Sequence, residues 1–332
     1  MDGMIDQAKR ILMVDEVESF SDAPLGYRNR VDLVFFPGGL GMRESFDSFV
    51  DVEHLDLASD RVNEIIAQVR SLIDVDTFDQ KTKRGALRYA VIRALDSASV
   101  SFVVNAKADL GRIREAISSF ADASDCENVL ITFIDPDSDV SVGSEYEVVK
   151  GSDILHATLA GVELSVHVQG FFQNNSRVAD LMHGYIRESL SPGGVLVDLY
   201  GGVGSFACSL GSLFDRVVVI EEHEGAASMA SENLARNGIV GEAICADASA
   251  LSDFQADRTT IVTDPPRSGM SEKAARAIAR LRPDRIVYVS CNPIIAPRDL
   301  AYFSGYSIEK TAVFDMFPGT DHFEMVVVLS CD

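Results

Sequence analysis

The second half of the chain alternates short apolar runs with segments of helical spacing, and this rhythm constrains the fold more than any other feature. The runs are too short for helices, and several carry β-branched residues typical of buried strands. They begin at residues 195, 217, 243, 260, 286 and 325. Strands that alternate with helices build a mostly parallel sheet with helices on both faces. We therefore predict a doubly wound α/β domain over residues 171–332.

The first half has a different pattern, with hairpins and fewer helices. Residues 31–36 run as a strand into the turn signal Pro37-Gly38-Gly39, and Asp96-Ser97 separates two further strands. Strand patterns cover residues 31–36, 88–93, 99–104 and 129–134, and helical spacing covers 62–73 and 110–120. We predict a smaller α+β domain over residues 1–170. A length of 332 residues is compatible with two domains.

Composition fits a globular protein, since 47% of the residues are hydrophobic and 24% are charged. The longest apolar stretches stop far short of the ~18 residues that cross a bilayer. The acidic start lacks the basic region of a signal peptide. We expect a cytoplasmic monomer without a membrane segment. Five scattered cysteines without a CxxC pair favour neither a disulfide framework nor a zinc site.

The formal net charge of −22 argues against a nucleic-acid partner, because Lys and Arg normally drive phosphate binding. Two basic stretches run against this trend. One holds Lys81, Lys83, Arg84, Arg88 and Arg93 without an acid between them. The other holds Arg267, Lys273, Arg276, Arg280, Arg282, Arg285 and Arg298, with only Glu272 and Asp284 between them.

Acidic residues and glycines follow the predicted parallel strands. Asp198-Leu-Tyr-Gly-Gly-Val-Gly204 lies between a strand and a helix, where glycines let a nucleotide approach the backbone. A structural turn or a dinucleotide site would look similar. Glu221 ends the next strand, where a carboxylate can accept ribose hydroxyls, and Asp247 ends the third, where it can accept from an adenine amino group. Each acid could instead cap a helix.

Three further groups carry chemistry. In Asp264-Pro-Pro-Arg267 the prolines stiffen a loop that presents a carboxylate and a guanidinium. Cys291 follows the fifth strand at the ligand edge of the sheet, where a reactive thiolate is plausible, although an isolated cysteine is more often part of a core. On an extended segment His322 and Glu324 point to the same side and suit acid–base chemistry. A structural salt bridge is their simpler explanation.

Taken together, these motifs resemble the uracil-5 RNA methyltransferase family, which makes 5-methyluridine in tRNA and rRNA with S-adenosylmethionine. The matching segments are, in family order, Phe171-Phe-Gln-Asn-Asn175, Asp198–Gly204, Asp264–Arg267, Ser290-Cys-Asn-Pro293 and Asp315–Glu324, preceded by Gly26–Arg30 and Leu40–Arg43. The resemblance implies a Rossmann-like class I methyltransferase domain. It also implies an RNA-binding, RNA-modifying transferase.

The resemblance assigns roles to individual residues. Cys291 would be the nucleophile and Glu324 the general base, while Asp264 and Arg267 would lie beside the flipped uracil. The residues implied for S-adenosylmethionine binding are Gln173, Tyr200, Gly202, Glu221, Asp247 and Asp264. No metal is expected. In this interpretation the basic stretches face the RNA.

The chain departs from many family members in three respects. We expect it to lack their added RNA-binding β-barrel, because the segments that resemble the central domain already start at Gly26. Its first half has only Cys126, so we expect no four-cysteine iron–sulfur cluster. Gly201 stands where cysteine is common, which we expect to be tolerated. The target, in tRNA or in 23S rRNA, stays open, as do a catalytically silent RNA-binding relative and a nicotinamide-dependent oxidoreductase as alternatives.

Overall fold

The structure is a computed structural model that describes residues 1–45, 48–254 and 257–331, with the side chains of residues 252 and 253 left out. The chain divides into two compact units. The larger contains Met1–Pro24, Thr158–Ser165 and Asn175–Asp332, and the smaller contains Leu25–Ala157 and Val166–Asn174. This division differs from a single boundary near residue 170, because the first 24 residues belong with the second half of the chain.

The helices are α1 (Asp2–Leu12), α2 (Asp60–Val69), α3 (Gly111–Ala123), α4 (Ser176–Glu188), α5 (Ser205–Gly211), α6 (Glu224–Arg236), α7 (Glu272–Leu281) and α8 (Ala296–Leu300). The strands are β1 (Glu18–Phe20), β2 (Arg30–Phe36), β3 (Gly39–Arg43), β4 (Phe49–Asp51), β5 (Leu87–Ala94), β6 (Ala98–Asn105), β7 (Asn128–Ile134), β8 (Glu145–Lys150), β9 (Ile154–Leu159), β10 (Val162–His167), β11 (Val195–Leu199), β12 (Arg216–Glu221), β13 (Gly241–Cys245), β14 (Thr259–Thr263), β15 (Arg285–Ser290), β16 (Tyr306–Phe314) and β17 (Glu324–Cys331). Short 3-10 helices cover Arg70–Leu72 and Ala248–Asp253. Within the described residues, none of the helices combines the length and the apolar character that crossing a bilayer requires.

The smaller unit is built on one sheet with the order β4-β3-β2-β5-β6-β7-β8. Adjacent strands in this sheet are antiparallel, except that β6 and β7 are parallel and are connected by α3. Alternate residues of β2, such as Leu33 and Phe35, share a buried core with Ile65 of α2 and Ile117 of α3. The predicted hairpin of β5 and β6 is confirmed. One face of the sheet therefore packs against helices.

Two arginines of the first basic stretch are buried, with Arg88 3% and Arg93 1% exposed. The Arg88 guanidinium lies 4.3 Å from the centroid of the Phe78 ring. Arg93 donates a hydrogen bond of 2.7 Å to the carbonyl of Gly170. The expectation that the whole stretch faces RNA is therefore wrong for these two, because their guanidinium groups serve the smaller unit's own packing.

The larger unit contains a sheet with the order β1-β16-β17-β15-β14-β11-β12-β13. Strands β13, β12, β11, β14 and β15 are parallel, whereas β17 runs antiparallel between β15 and β16. This arrangement confirms the predicted Rossmann-like methyltransferase fold. The sequence analysis missed the edge strand β1, which pairs with β16, because three residues carry no periodic signal.

Two changes of direction in this sheet create the site. The strand order reverses at β11, so a crevice opens beyond the carboxyl ends of β11 and β14. Because β17 is antiparallel, it begins at the same edge where β15 ends. Ser290 pairs with Met325, which makes Cys291 and Glu324 neighbours one residue further toward that edge.

Asn233 of α6 and Asn237, the residue that follows α6, bind the residues of β10 that belong to the larger unit. Asn233 is fully buried, accepts from the Ser165 backbone N–H at 2.7 Å, and donates to the carbonyls of Ser165 and Val203 at 3.0 and 2.9 Å. One turn later, Asn237 exchanges the equivalent bonds with Glu163 in a more exposed position. Because Val203 belongs to the glycine loop, Asn233 also holds that loop in place.

We expect Asn233→Ala to lower the free energy of unfolding by about 3 kcal/mol, since it leaves three backbone groups without partners, two of them on buried Ser165. Asn237→Ala is the matched control and should cost less than about 1 kcal/mol, because water can replace its bonds. Urea unfolding measures both. Equal losses in the two variants would contradict this account.

Candidate active site

The glycine loop makes a sharp turn from β11 into α5. Tyr200, Gly202 and Gly204 all have positive φ, at 59°, 53° and 79°. A Cβ atom at Gly201 would lie 2.5 Å from Val219 Cγ1 and 3.1 Å from the Asp198 carboxyl carbon. Glycine at this position therefore gives the loop the room to pass over β12 and beside Asp198.

Asp198 is a buried acid to which the sequence analysis assigned no role. Its side chain is fully buried, and its Oδ2 accepts from the Ala207 backbone N–H at 2.9 Å. Its Oδ1 has no hydrogen-bond partner among the described residues. Burial raises the pKa of Asp198 to about 7, and the nearby Asp264 and Glu221 carboxylates add to the rise. A polar residue inside an apolar run was the available signal.

Glu221 lies at the end of β12, where the sequence predicts it. Its Oε2 accepts from the Gly202 backbone N–H at 3.0 Å, and its Oε1 accepts from the His223 backbone N–H at 2.8 Å. These bonds tie the carboxylate to the glycine loop. Since each carboxylate oxygen has two lone pairs, both oxygens can still accept from a ligand hydroxyl.

Asp247 follows β13 and is exposed. It caps the 3-10 helix that follows, accepting from the Ser249 backbone N–H at 2.9 Å. Hydrogen bonds from the Ser249 side chain and backbone lower the pKa of Asp247. The capping alternative for this residue is therefore present in the structure. Burial raises the pKa of Tyr200, and the Asp247 charge adds to that rise.

Cys291, Glu324, Asp264 and Arg267 interact electrostatically at the edge formed by β14, β15 and β17. Burial, with the added effect of the Glu324 and Asp264 carboxylates and against a smaller opposite effect of Arg267, raises the pKa of the half-buried Cys291 thiol to about 11. The thiol is thus protonated at neutral pH in this structure. The predicted thiolate requires a change in the surrounding charge.

The two carboxyl groups of this cluster resist ionisation. Burial raises the pKa of Asp264 to about 7. Burial and the Asp264 charge also raise the pKa of Glu324, which is 6% exposed and whose Oε2 has no hydrogen-bond partner among the described residues. His322, in contrast, is exposed. Among the described residues no hydrogen bond or ion pair joins His322 to Glu324, so the salt bridge that was the simpler explanation is not found there.

Hydrogen bonds from Asn292 and from α8 hold the loop that carries Arg267. Asn292 donates to the Arg267 carbonyl at 3.0 Å, and Arg298 donates to the Ser268 carbonyl at 2.9 Å. The buried Asp299 accepts from the Met270 backbone N–H at 2.8 Å and from the Tyr288 hydroxyl at 2.9 Å. Sequence analysis missed Asp299, since nothing local shows that it becomes buried.

The chain is similar to known proteins in sequence and in fold. A family model described as tRNA (uracil-5-)-methyltransferase matches residues 246–331. An uncharacterized RNA methyltransferase of Caldanaerobacter subterraneus is 32% identical, over 92% of this chain and 72% of its own length. The chain belongs to the uracil-5 RNA methyltransferase family. The tRNA (uracil(54)-C(5))-methyltransferase of Pyrococcus horikoshii is 30% identical, over 98% of this chain and 79% of its own length.

A solved structure of the family is similar over nearly the whole chain. It is the tRNA (uracil-54, C5)-methyltransferase of Pyrococcus abyssi in complex with S-adenosyl-L-homocysteine, with a TM-score of 0.86 and 29% identity. The similarity covers 99% of this chain and 82% of that one. Family membership gives no support to the nicotinamide-dependent alternative. Among the residues that this structure describes, no three His, Cys, Asp or Glu side chains group as metal ligands.

Gln173, the remaining predicted cofactor residue, belongs to the smaller unit. Its carbonyl accepts from the Asn29 side chain at 2.9 Å, and the Asn174 carbonyl accepts from the Asn29 backbone N–H at 3.1 Å. Asn29 therefore holds the backbone of the segment that carries Gln173. The sequence analysis quoted Asn29 within a family motif but assigned it no role.

We expect Asp198→Asn to raise the free energy of unfolding at pH 8. The Asp198 carboxyl titrates near a pKa of about 3.9 when unfolded and of about 7 when folded, so its contribution to stability falls as the pH rises through that interval. The variant lacks this loss, which is on the order of a few kcal/mol. Chemical unfolding at pH 4, 6 and 8 measures the difference. A gain that does not grow with pH would contradict it.

Proposed function

We propose that this protein transfers a methyl group from S-adenosylmethionine to C5 of a uridine in tRNA. The observation that carries the proposal is the placement of Cys291 and Glu324 side by side at one edge of the sheet. The charge of Asp264 acts on both, since it raises the pKa of each. The matching family model and the Pyrococcus relatives bear names that specify tRNA, which favours tRNA over rRNA.

The residues present fit S-adenosylmethionine. Glu221 offers carboxylate lone pairs beside the glycine loop, and a Cβ at Gly202 would have open space around it, so the backbone there is accessible. The cluster of Asp198, Asp264 and Glu324 is anionic when ionised and suits a sulfonium cation. Tyr200 and Asp247 are the other candidates of the larger unit, and Gln173 is a candidate that the family resemblance alone adds. When bound, the cofactor supplies an electrophilic methyl group.

Cys291 would be the nucleophile. C5 of uracil is a poor carbon nucleophile until a thiolate adds to C6, which places enolate character on C5. The high pKa of Cys291 comes from burial and from nearby carboxylates. A cation bound among those carboxylates lowers the pKa of the thiol, since an opposite charge favours the ionised form. Nucleophile activation would thus follow ligand binding.

Glu324 would be the base that removes the C5 proton, after which the Cys291 sulfur leaves C6 as a thiolate. A carboxylate with a raised pKa is a stronger base than an exposed one. The Oε2 of Glu324 has no competing hydrogen bond among the described residues, so this oxygen is available to take the proton.

Asp264 and Arg267 would orient the uracil ring. The carboxylate can accept from the ring N–H, and the guanidinium of exposed Arg267 can donate to a ring carbonyl. Pro265 and Pro266 fix the backbone between them. A base stacked in RNA cannot reach such a site, so the target uridine must be extruded.

We expect Cys291→Ala to lower methyl transfer to an unmodified tRNA transcript by about 10³-fold or more, because the nucleophile is gone. The variant should also form no covalent adduct with RNA that contains 5-fluorouridine. Labelled S-adenosylmethionine and denaturing gels provide the readouts, and mapping the product identifies the uridine. Cofactor-induced thermal stabilisation should persist.

Cys245→Ala is the matched control, since Cys245 is exposed at the end of β13 and has no proposed catalytic role. It should keep wild-type activity. Methyl transfer by Cys291→Ala at the wild-type rate would refute the proposed mechanism. Wild-type protein that binds RNA without methylating it would favour the silent relative, and methylation of rRNA alone would refute the tRNA target.

A further inference from the structure

A cavity lies wholly within the smaller unit, outside the site described above. It has a volume of about 200 Å³ and is lined by Phe36, Arg43, Phe49, Phe78, Lys81 and Tyr89, among others. Pockets that hold larger ligands usually exceed 300 Å³, so this one suits a single small ring system. Its walls combine aromatic rings with cations.

The cavity opens on the face of the sheet opposite α2 and α3. Leu33 and Phe35 pack into the helix-covered core, so the alternate residues Val34 and Phe36 point to the other face. Val34 pairs with Tyr89. Arg43 pairs with Phe49 across β3 and β4. Strands β2, β4 and β5 thus present Phe36, Phe49 and Tyr89 together, and β3 between β2 and β4 adds Arg43.

Glycine at one position gives the aromatic wall its shape. The Phe36 and Phe49 rings are stacked, with centroids 5.1 Å apart and an interplanar angle of 9°. A Cβ at Gly39 would lie 2.3 Å from Phe36 Cζ. Only glycine lets the Phe36 ring lie across the hairpin toward Phe49.

The surroundings of the cavity are basic within a strongly acidic chain. The loop that precedes β5 carries Lys81, Lys83 and Arg84, opposed by Asp79. Lys81 and Arg84 are exposed. Arg43 on the opposite wall is bound to Asp139, which also accepts from the Tyr89 hydroxyl. The exposed positive charge therefore lies along the loop at the rim, while Arg43 shapes the wall.

We propose that this cavity binds an unpaired nucleotide of the RNA substrate, at a position other than the target uridine. Aromatic side chains on an open sheet face stack unpaired bases, and rim cations bind the adjoining phosphates. The base would stack on the Phe36–Phe49 pair, and Lys81 and Arg84 would hold its phosphates. This inference rests on the proposed function, because it assumes an RNA substrate.

Three variants test the cavity. Phe49→Leu keeps apolar bulk but removes the ring, and should weaken binding of an unmodified tRNA transcript about tenfold. Lys81→Glu with Arg84→Glu should weaken binding at least as much. It should also make the slope of log affinity against log salt concentration shallower by about one unit or more, which corresponds to the loss of about one phosphate contact. Arg112→Glu, on exposed Arg112 of α3, is the charge control for each of these two reversals made singly and should change affinity less than twofold.

Fluorescence anisotropy at two salt concentrations gives the affinities, and steady-state kinetics separates the effects. KM for the transcript should rise with the dissociation constant, while kcat and cofactor-induced thermal stabilisation stay within twofold of wild type. Transcripts with 4-thiouridine at unpaired positions should cross-link to the peptide that contains Phe36 or Phe49.

Wild-type methylation of the transcript, combined with unchanged affinity in the variants and cross-links elsewhere, would overturn the inference and leave the proposed function intact. A loss of affinity as large in Arg112→Glu as in the variant with Lys81→Glu and Arg84→Glu would also overturn the inference, since the change in net charge alone would then explain the loss. Wild-type protein that neither binds nor methylates RNA would overturn both.

Discussion

The crowding of carboxyl groups at one edge of a sheet is the constraint on which the rest of the site depends. Asp198, Asp264 and Glu324 lose most of their hydration there, and each raises the cost of ionising another. Asp198 and Glu324 each keep an oxygen without a partner among the described residues. An arrangement that costs stability in this way is best explained by a positively charged ligand that relieves it.

The sheet topology concentrates these groups without any local signal for it. Parallel strands β11, β14 and β15 end at one edge, and antiparallel β17 begins there. Asp198 and Glu324 are 126 positions apart in sequence and thereby come to lie at the same edge of the sheet. The same principle applies in the smaller unit, where three strands bring Phe36, Phe49 and Tyr89 to one cavity.

Periodicity and strand-end position predicted much of this protein. Apolar runs located the parallel strands, α3 covers most of the segment 110–120 that its spacing indicates, and Cys291 is at the predicted edge, next to Glu324. Local patterns could not show that Asp198 and Asp299 become buried, because that depends on distant segments. They also gave no sign that residues 1–24 join the larger unit, or that Arg88 and Arg93 turn inward.

The pairing of Cys291 and Glu324 as nucleophile and base is tested most directly by intact-mass analysis of Glu324→Gln after reaction with S-adenosylmethionine and a tRNA transcript. Glutamine cannot take the C5 proton, so the thioether at C6 should persist. The account predicts a covalent protein–RNA complex that carries one added methyl group and is lost when Cys291 is also changed to Ala. Wild-type turnover by Glu324→Gln, or a methylated product released without any complex, would contradict it.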